Sequence, residues 1–308
     1  MSSAAVEASV LQGPAGRAVV STLGAELQSL QDRSGREYLW QAGPQWPRHA
    51  PILFPVIGRV VDDHIRVSGM DYPMGQHGFA RDSRWTIRSS GAAHATLRLH
   101  DSPATRERLP HPFDLTVHYA MEEAGLSVVF TVRNTGQGPL PFQLGFHPAF
   151  RWPLSPEADP VDHQIEFGSP QDDRVRTVQQ TLLLPGSRPS PVVGRTLALD
   201  HELFRESAIV FDAVAGSALT YTADDGRGVH LSWSGFPQLA IWSPPEDTDL
   251  LCIEPWLGLP ETTGQRAEFA TRADVSSLDP GEQQQMACQI TLLQPRTDDL
   301  AGADSTHR

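Results

Sequence analysis

The chain has 308 residues, 39% of them hydrophobic, and a mean hydropathy of −0.30, enough apolar material for one large domain or two ordinary ones. Its formal net charge of −13 argues against nucleic acid as a partner, because phosphate binding needs a basic patch. The two cysteines, Cys252 and Cys288, are too few for a disulfide framework or a cysteine-based metal site, and read as buried thiols.

Residues 1–9 lack a basic region followed by an apolar run, so no signal peptide is expected and a cytoplasmic location follows. The next segments carry a period of two, with strands predicted at 17–22 and 25–30. The most apolar stretch, 50–58, contains Pro51 and Pro55 and is far too short to span a bilayer, so no membrane is expected as a partner. A strand at 96–100 precedes the clearest alternation. Leu115, Val117, Tyr119 and Met121 alternate with more polar neighbours, then Leu126, Val128, Phe130 and Val132 do the same. Residues 122–125 separate the two runs at hairpin length. Further strands are predicted at 142–147, 208–211, 218–221, 229–233, 239–242, 251–254 and 288–293, with a short helical turn at 201–206.

Many short strands separated by turns, with 26 prolines and 25 glycines, predict an all-β, antiparallel sandwich or barrel. No repeat or linker is visible, so a single domain over 1–294 is expected. Residues 295–308 have almost no apolar content and are expected to form a disordered tail.

Four short motifs place polar groups among glycine, proline and aromatic residues: APILFPVIGR at 50–59, GQHGFARD at 75–82, GFHPAF at 145–150 and CIEPW at 252–256. Glu254 ends an apolar strand just before Pro255 and beside Trp256. A carboxylate there is partly desolvated, which raises its pKa and improves it as a base. A buried Glu paired with an arginine is the competing reading. His147 ends the strand 142–146 on the face of Gln143 and Gly145, where Gly145 leaves room for a ligand. Histidine suits proton donation near neutral pH, although a core histidine bonded to backbone would look the same. Gln76, His77 and Arg81 share one glycine-flanked loop, and Arg59 follows Gly58 on another. Arginine offers a planar fork of donors to hydroxyls, an oxyanion or a phosphate. Surface cations or salt bridges are the alternative. Of the aromatics near the motifs (Phe79, Phe146, Phe150, Trp152, Trp242 and Trp256) one or two are expected to touch a ligand, with the rest core. No His-x-His or Glu-x-x-His arrangement supports a zinc site, and phosphate-loop, dinucleotide and nucleophile-elbow signatures are absent.

The segments PILFPVIGR, QHGFARDSRW, GFHPAF and CIEPWLGLPE, taken in that order, resemble the aldose 1-epimerase (galactose mutarotase-like) family, over about residues 24–293. The resemblance implies a large antiparallel supersandwich. It implies a histidine acid at His147 and a glutamate base at Glu254. It implies a sugar site lined by Arg59, Gln76, His77 and Arg81, with Asp200 as the match to a further aspartate. Where the best-known galactose mutarotases carry His-x-Tyr-Phe-Asn, this chain has His147-Pro148-Ala149-Phe150. Its QHGFAR loop is similar to that of hexose-6-phosphate 1-epimerases.

The expected function is therefore a sugar mutarotase, with Glu254 and His147 catalytic and Arg59, Gln76, His77, Arg81, Asp200 and Trp242 binding substrate. No metal and no cofactor are expected, a small-molecule sugar is the partner, and the chain acts as a monomer or homodimer. His147 and Glu254 should face one cavity across a gap that fits a pyranose edge, without a direct hydrogen bond. A hexose-6-phosphate 1-epimerase with Arg59 and Arg81 on the phosphate, a non-catalytic sugar-binding or sensory module, and a glycosidase or lyase on a related sandwich are the alternatives.

Overall fold

The computed structural model describes residues 7–156, 158–246, 248–264 and 267–296. The expected tail lies outside the described residues from residue 297 onward.

The fold is built from antiparallel sheets with almost no helix. The predicted hairpin forms as Phe113–Glu122 and Gly125–Asn134, paired from Gly125↔Glu122 onward. The alternate residues of Phe113–Glu122 are buried, as period-two apolar spacing requires. These two strands lie inside a nine-stranded sheet running from Thr196–Ala198 at one edge to Thr86–Ser90 at the other. Every residue of Thr86–Ser90 is exposed, an edge too polar to invite a further strand.

The second large sheet has six strands. Its central strand, Leu250–Leu257, pairs with Gln238–Trp242 on one side and with Leu144–Phe146 and Ala149–Arg151 on the other. The two large sheets share one core. Phe130 of the first lies 5.6 Å from Phe146 of the second, ring centre to ring centre, and Phe113 packs at 5.0 Å against Phe54. Fully burying such a ring stabilises the fold by about 1.5–3 kcal/mol. A smaller sheet of Ala8–Gly13, Gly16–Ser21 and Leu27–Asp32 contains the first two predicted strands and one the sequence pattern did not reveal.

Two expectations need correction. The strand at 142–147 is interrupted at Gln143, whose buried amide accepts from Ile57 N and donates to Asp274 Oδ2 and Leu259 O. Glu254 lies inside its strand, which continues through Pro255 to Leu257. Pro255 sits beside the break between Leu144–Phe146 and Ala149–Arg151, where the ladder has no bond for its missing N–H to remove. The expected helical turn is present as a 3-10 segment, His201–Phe204. No helix among the described residues is long and apolar enough to cross a membrane.

Candidate functional site

Alternation along Leu250–Leu257 separates two chemistries. Leu251 and Ile253 enter the main core, while Cys252, Glu254 and Trp256 point to the other face. Gly145↔Trp256 and Ala149↔Cys252 belong to one continuous register, which sets His147 directly across from Glu254. On the other side Glu254 is paired with Ala240, whose small side chain leaves the face open. Gly145 serves packing rather than ligand approach: a Cβ there would lie 2.9 Å from both Leu53 Cδ1 and Trp256 Cδ1.

Above this face lies a cavity of about 140 Å³. The loops and strands bring Glu254, His147, Gln76, His77, Arg81 and Trp242 to its lining. Two expected residues are not brought there. Arg59 makes a bidentate pair with Asp63 (2.8 and 2.8 Å) and lines a separate, more open cleft, into which Gln76 also reaches. Its carboxylate partner is four residues along, near enough to capture the guanidinium before it can turn to the cavity. Asp200 caps the turn His201–Phe204, accepting from Glu202 N at 2.9 Å, and lines no described cavity.

Trp46 is a cavity residue that sequence reasoning did not find. Its ring stacks on His147 at 5.0 Å and 26°, and meets Trp242 edge-on at 6.2 Å. Trp40 Nε1 donates to Trp46 O at 2.8 Å and fixes the loop that carries it. A tryptophan in a Gly-Pro-rich loop, outside any alternating run, was the available signal. Trp256 also lines the cavity, whereas Phe79, Phe146, Phe150 and Trp152 belong to the core.

His147 and Glu254 differ from the expected arrangement. No gap separates them: Nε2 lies 3.1 Å from Glu254 Oε2, at an angle that makes no aligned hydrogen bond. Both side chains are buried, at 7% and 3% exposure. Burial drives the Glu254 carboxyl well above the usual carboxylate range, weakly opposed by the Trp256 indole N–H. Burial, and then the charge of Arg81, push His147 down to about 3 while Glu254 stays protonated. An ionised Glu254 at this distance would oppose that shift. The pair thus holds one proton between two neutral groups.

Arg81 follows the cavity loop on a short 3-10 segment, Ala80–Asp82. Burial, and then repulsion from Arg48, lower it to about 10. Its Nε is buried without a hydrogen-bond partner. Arg48 was not singled out by sequence; it pairs with Asp82 at 2.8 Å and adds positive field around His77, Arg81 and His147. His77 adopts a left-handed backbone (φ 62°), uncommon for a residue with a side chain. Two bonds to Gly58 hold it there: His77 N donates to Gly58 O at 2.7 Å, and Gly58 N donates to His77 Nδ1 at 3.1 Å. Gly58 must itself be glycine, because at φ 64° a Cβ would lie 2.6 Å from Pro260.

Linear spacing also concealed a metal-capable donor set. His147, Cys252 and Glu254 each offer one ligand atom, and these atoms lie within 4.8 Å of one another. No local motif could signal a set assembled across two strands.

A desolvated acid–base pair under an aromatic, cation-flanked cavity agrees with what the chain is similar to. A family model for aldose 1-epimerase matches residues 8–270. "Protein LacX, chromosomal" of Lactococcus lactis subsp. lactis is 28% identical over 283 residues, covering 88% of this chain and 95% of that protein. The crystal structure of a galactose mutarotase-like protein from Lactobacillus casei ATCC 334 is 30% identical. It superposes with a TM-score of 0.86 over 93% of this chain and 100% of that one. A galactose mutarotase related enzyme from Lactobacillus acidophilus is 27% identical, with a TM-score of 0.88 over 94% and 99% of the two chains. With the family's pattern spanning most of its length and its fold reproduced throughout, the chain belongs to the aldose 1-epimerase family.

Proposed function

We propose that this chain interconverts the α and β anomers of an aldose, with His147 and Glu254 moving the protons. The observation that carries this reading is their direct juxtaposition at the cavity floor, both buried and 3.1 Å apart. A site for binding alone gains nothing from a carboxyl whose Oε2 is buried without a hydrogen-bond partner.

The sugar enters against Trp46 and Trp242, and its hydroxyls meet Arg81, Gln76 and His77. The shared proton passes from Glu254 to His147 across their contact. Glu254 then accepts the proton of the anomeric O1 hydroxyl, and His147 donates its proton to the ring oxygen O5. The C1–O5 bond breaks, O1 becomes the aldehyde oxygen, and the pair returns to its neutral form. Because burial disfavours the ionised pair, the step that neutralises it is favoured. Rotation about C1–C2 presents the other carbonyl face, and the same transfers run in reverse as the ring closes.

The names of the similar proteins make galactose the first sugar to test, alongside glucose and their 6-phosphates. A phosphate reading loses one of its two arginines, because Arg59 is tied to Asp63 outside the cavity. Non-phosphorylated aldoses are therefore the expected substrates. NMR exchange between anomeric protons measures the rate directly. Glu254→Gln should lower the catalysed rate by about 10²–10⁴-fold and leave the fold intact. A variant within a few-fold of wild type would sink the assignment, and turnover confined to the 6-phosphates would replace the substrate class.

A further inference from the structure

The geometry points to a second occupant of the cavity floor: a soft divalent cation of the zinc type, held by His147, Cys252 and Glu254. None of the three donors is committed elsewhere. Cys252 is a free, buried thiol. Glu254 Oε2 is buried without a hydrogen-bond partner, and His147 Nε2 faces it at 3.1 Å. Cys252 and Glu254 project from the same face of one strand, and His147 stands across from Glu254 in the two-residue break between Leu144–Phe146 and Ala149–Arg151, so strands hold two of the donors and flank the third.

The spacing suits the ion. Tetrahedral bonds of about 2.0–2.3 Å put neighbouring N, O and S ligands about 3.3–3.7 Å apart. The closest donor contact is already 3.1 Å and no pair exceeds 4.8 Å, so closure needs side-chain shifts of about 1 Å. Three protein ligands leave the fourth position open toward the cavity that His147 and Glu254 line. The charge also suits it. A thiolate and a carboxylate together neutralise a dication, so binding installs a neutral cluster where a single charge would be poorly solvated. On coordination the Cys252 thiol and the Glu254 carboxyl each give up a proton to solvent, and the S–metal and O–metal bonds form in their place. A sulfur donor discriminates against Mg²⁺ and Ca²⁺.

Metal and sugar then exclude each other, because coordination occupies both groups assigned to proton transfer. The coupling is reciprocal: saturating sugar weakens metal binding by the factor by which metal weakens sugar binding. The inhibition rests on the proposed function, whereas the metal site does not.

Calorimetry with Zn²⁺ on the metal-free full chain should find one tight site. Cys252→Ala should weaken that site by about ten-fold or more, and Cys288→Ala should leave it unchanged. With Cd²⁺, a thiolate-to-metal charge-transfer band should appear in the ultraviolet in wild type and in Cys288→Ala, and vanish in Cys252→Ala. The Cys288→Ala spectrum alone assigns the band if Cys252→Ala fails to fold. Absence of the band, or Zn²⁺ affinity indifferent to Cys252→Ala, overturns the site. Cys252-dependent binding that leaves anomerisation untouched keeps the site but removes His147 and Glu254 from the reaction. Anomerisation without any tight Zn²⁺ site does the reverse.

Discussion

The two faces of the six-stranded sheet come from the same strands and have opposite economies. On the core face, Leu251, Ile253, Phe146 and Phe150 are fully buried in apolar surroundings. On the cavity face, Glu254 and Cys252 are just as inaccessible, yet Glu254 Oε2 lacks a hydrogen-bond partner and His147 is held neutral. One residue step along a strand separates a side chain that stabilises the fold from one that costs it. Equal burial is therefore no guide to purpose; whether the buried polar atoms are satisfied is the better one.

The contrast breaks first on the core side. Phe150→Ala should lower stability by about 3–5 kcal/mol, read as a large fall in melting temperature, with residual folded protein still turning over sugar. A loss under about 1 kcal/mol would mean the core face collapses around the missing ring and is less tightly packed than it looks.

Trp46 tests the cavity face. It is half-buried, so Trp46→Ala should hardly change the melting temperature but should raise KM about three- to ten-fold through lost stacking. An unchanged KM with a lower kcat would recast the ring as a support for His147.

The pH profile sharpens the same distinction. Activity falls on the acid side only when His147 takes a second proton. Burial and Arg81 displace that event downward from the ordinary 6.5 to about 3. kcat/KM should therefore vary by less than about two-fold between about pH 5.5 and 7.5. An acid limb centred near 6.5 would show His147 to be hydrated and the dry-floor picture to be wrong.

The smallest effect belongs to Arg59. Its side chain is 43% exposed and its fork is filled by Asp63, so Arg59→Ala should leave kcat/KM within about two-fold. A ten-fold loss would mean that substrate reaches the outer cleft past Gln76.

What could be read from the sequence follows the range of the signal. Alternation at 115–121 and 126–132 is local, and it returned both strands and their hairpin. The four motifs carried the family's pattern, and their polar residues fall around one cavity except where local chemistry intervened. Asp63 captured Arg59 within one turn of chain, and Asp200 was drawn to cap its own 3-10 segment. The position of His147 opposite Glu254 could not be read, because it depends on a register between strands about a hundred residues apart. Nor could Trp46, which reaches the cavity through a loop with no periodicity to follow. The interruption at Gln143 was hidden because an apolar run conceals an amide whose partners, Ile57, Leu259 and Asp274, lie far away in sequence.

The bond from Gly58 N to His77 Nδ1 has a further consequence. A ring nitrogen that accepts a backbone N–H must carry a lone pair, so the neutral imidazole keeps its hydrogen on Nε2. The tautomer of His77 is thereby fixed by a glycine on another loop. Burial lowers its pKa well below 6.5, so this neutral form persists across the working range. From Nε2 the ring can only donate. A sugar hydroxyl that meets it must accept there and turn its own hydrogen elsewhere, which orients that hydroxyl before any proton has moved.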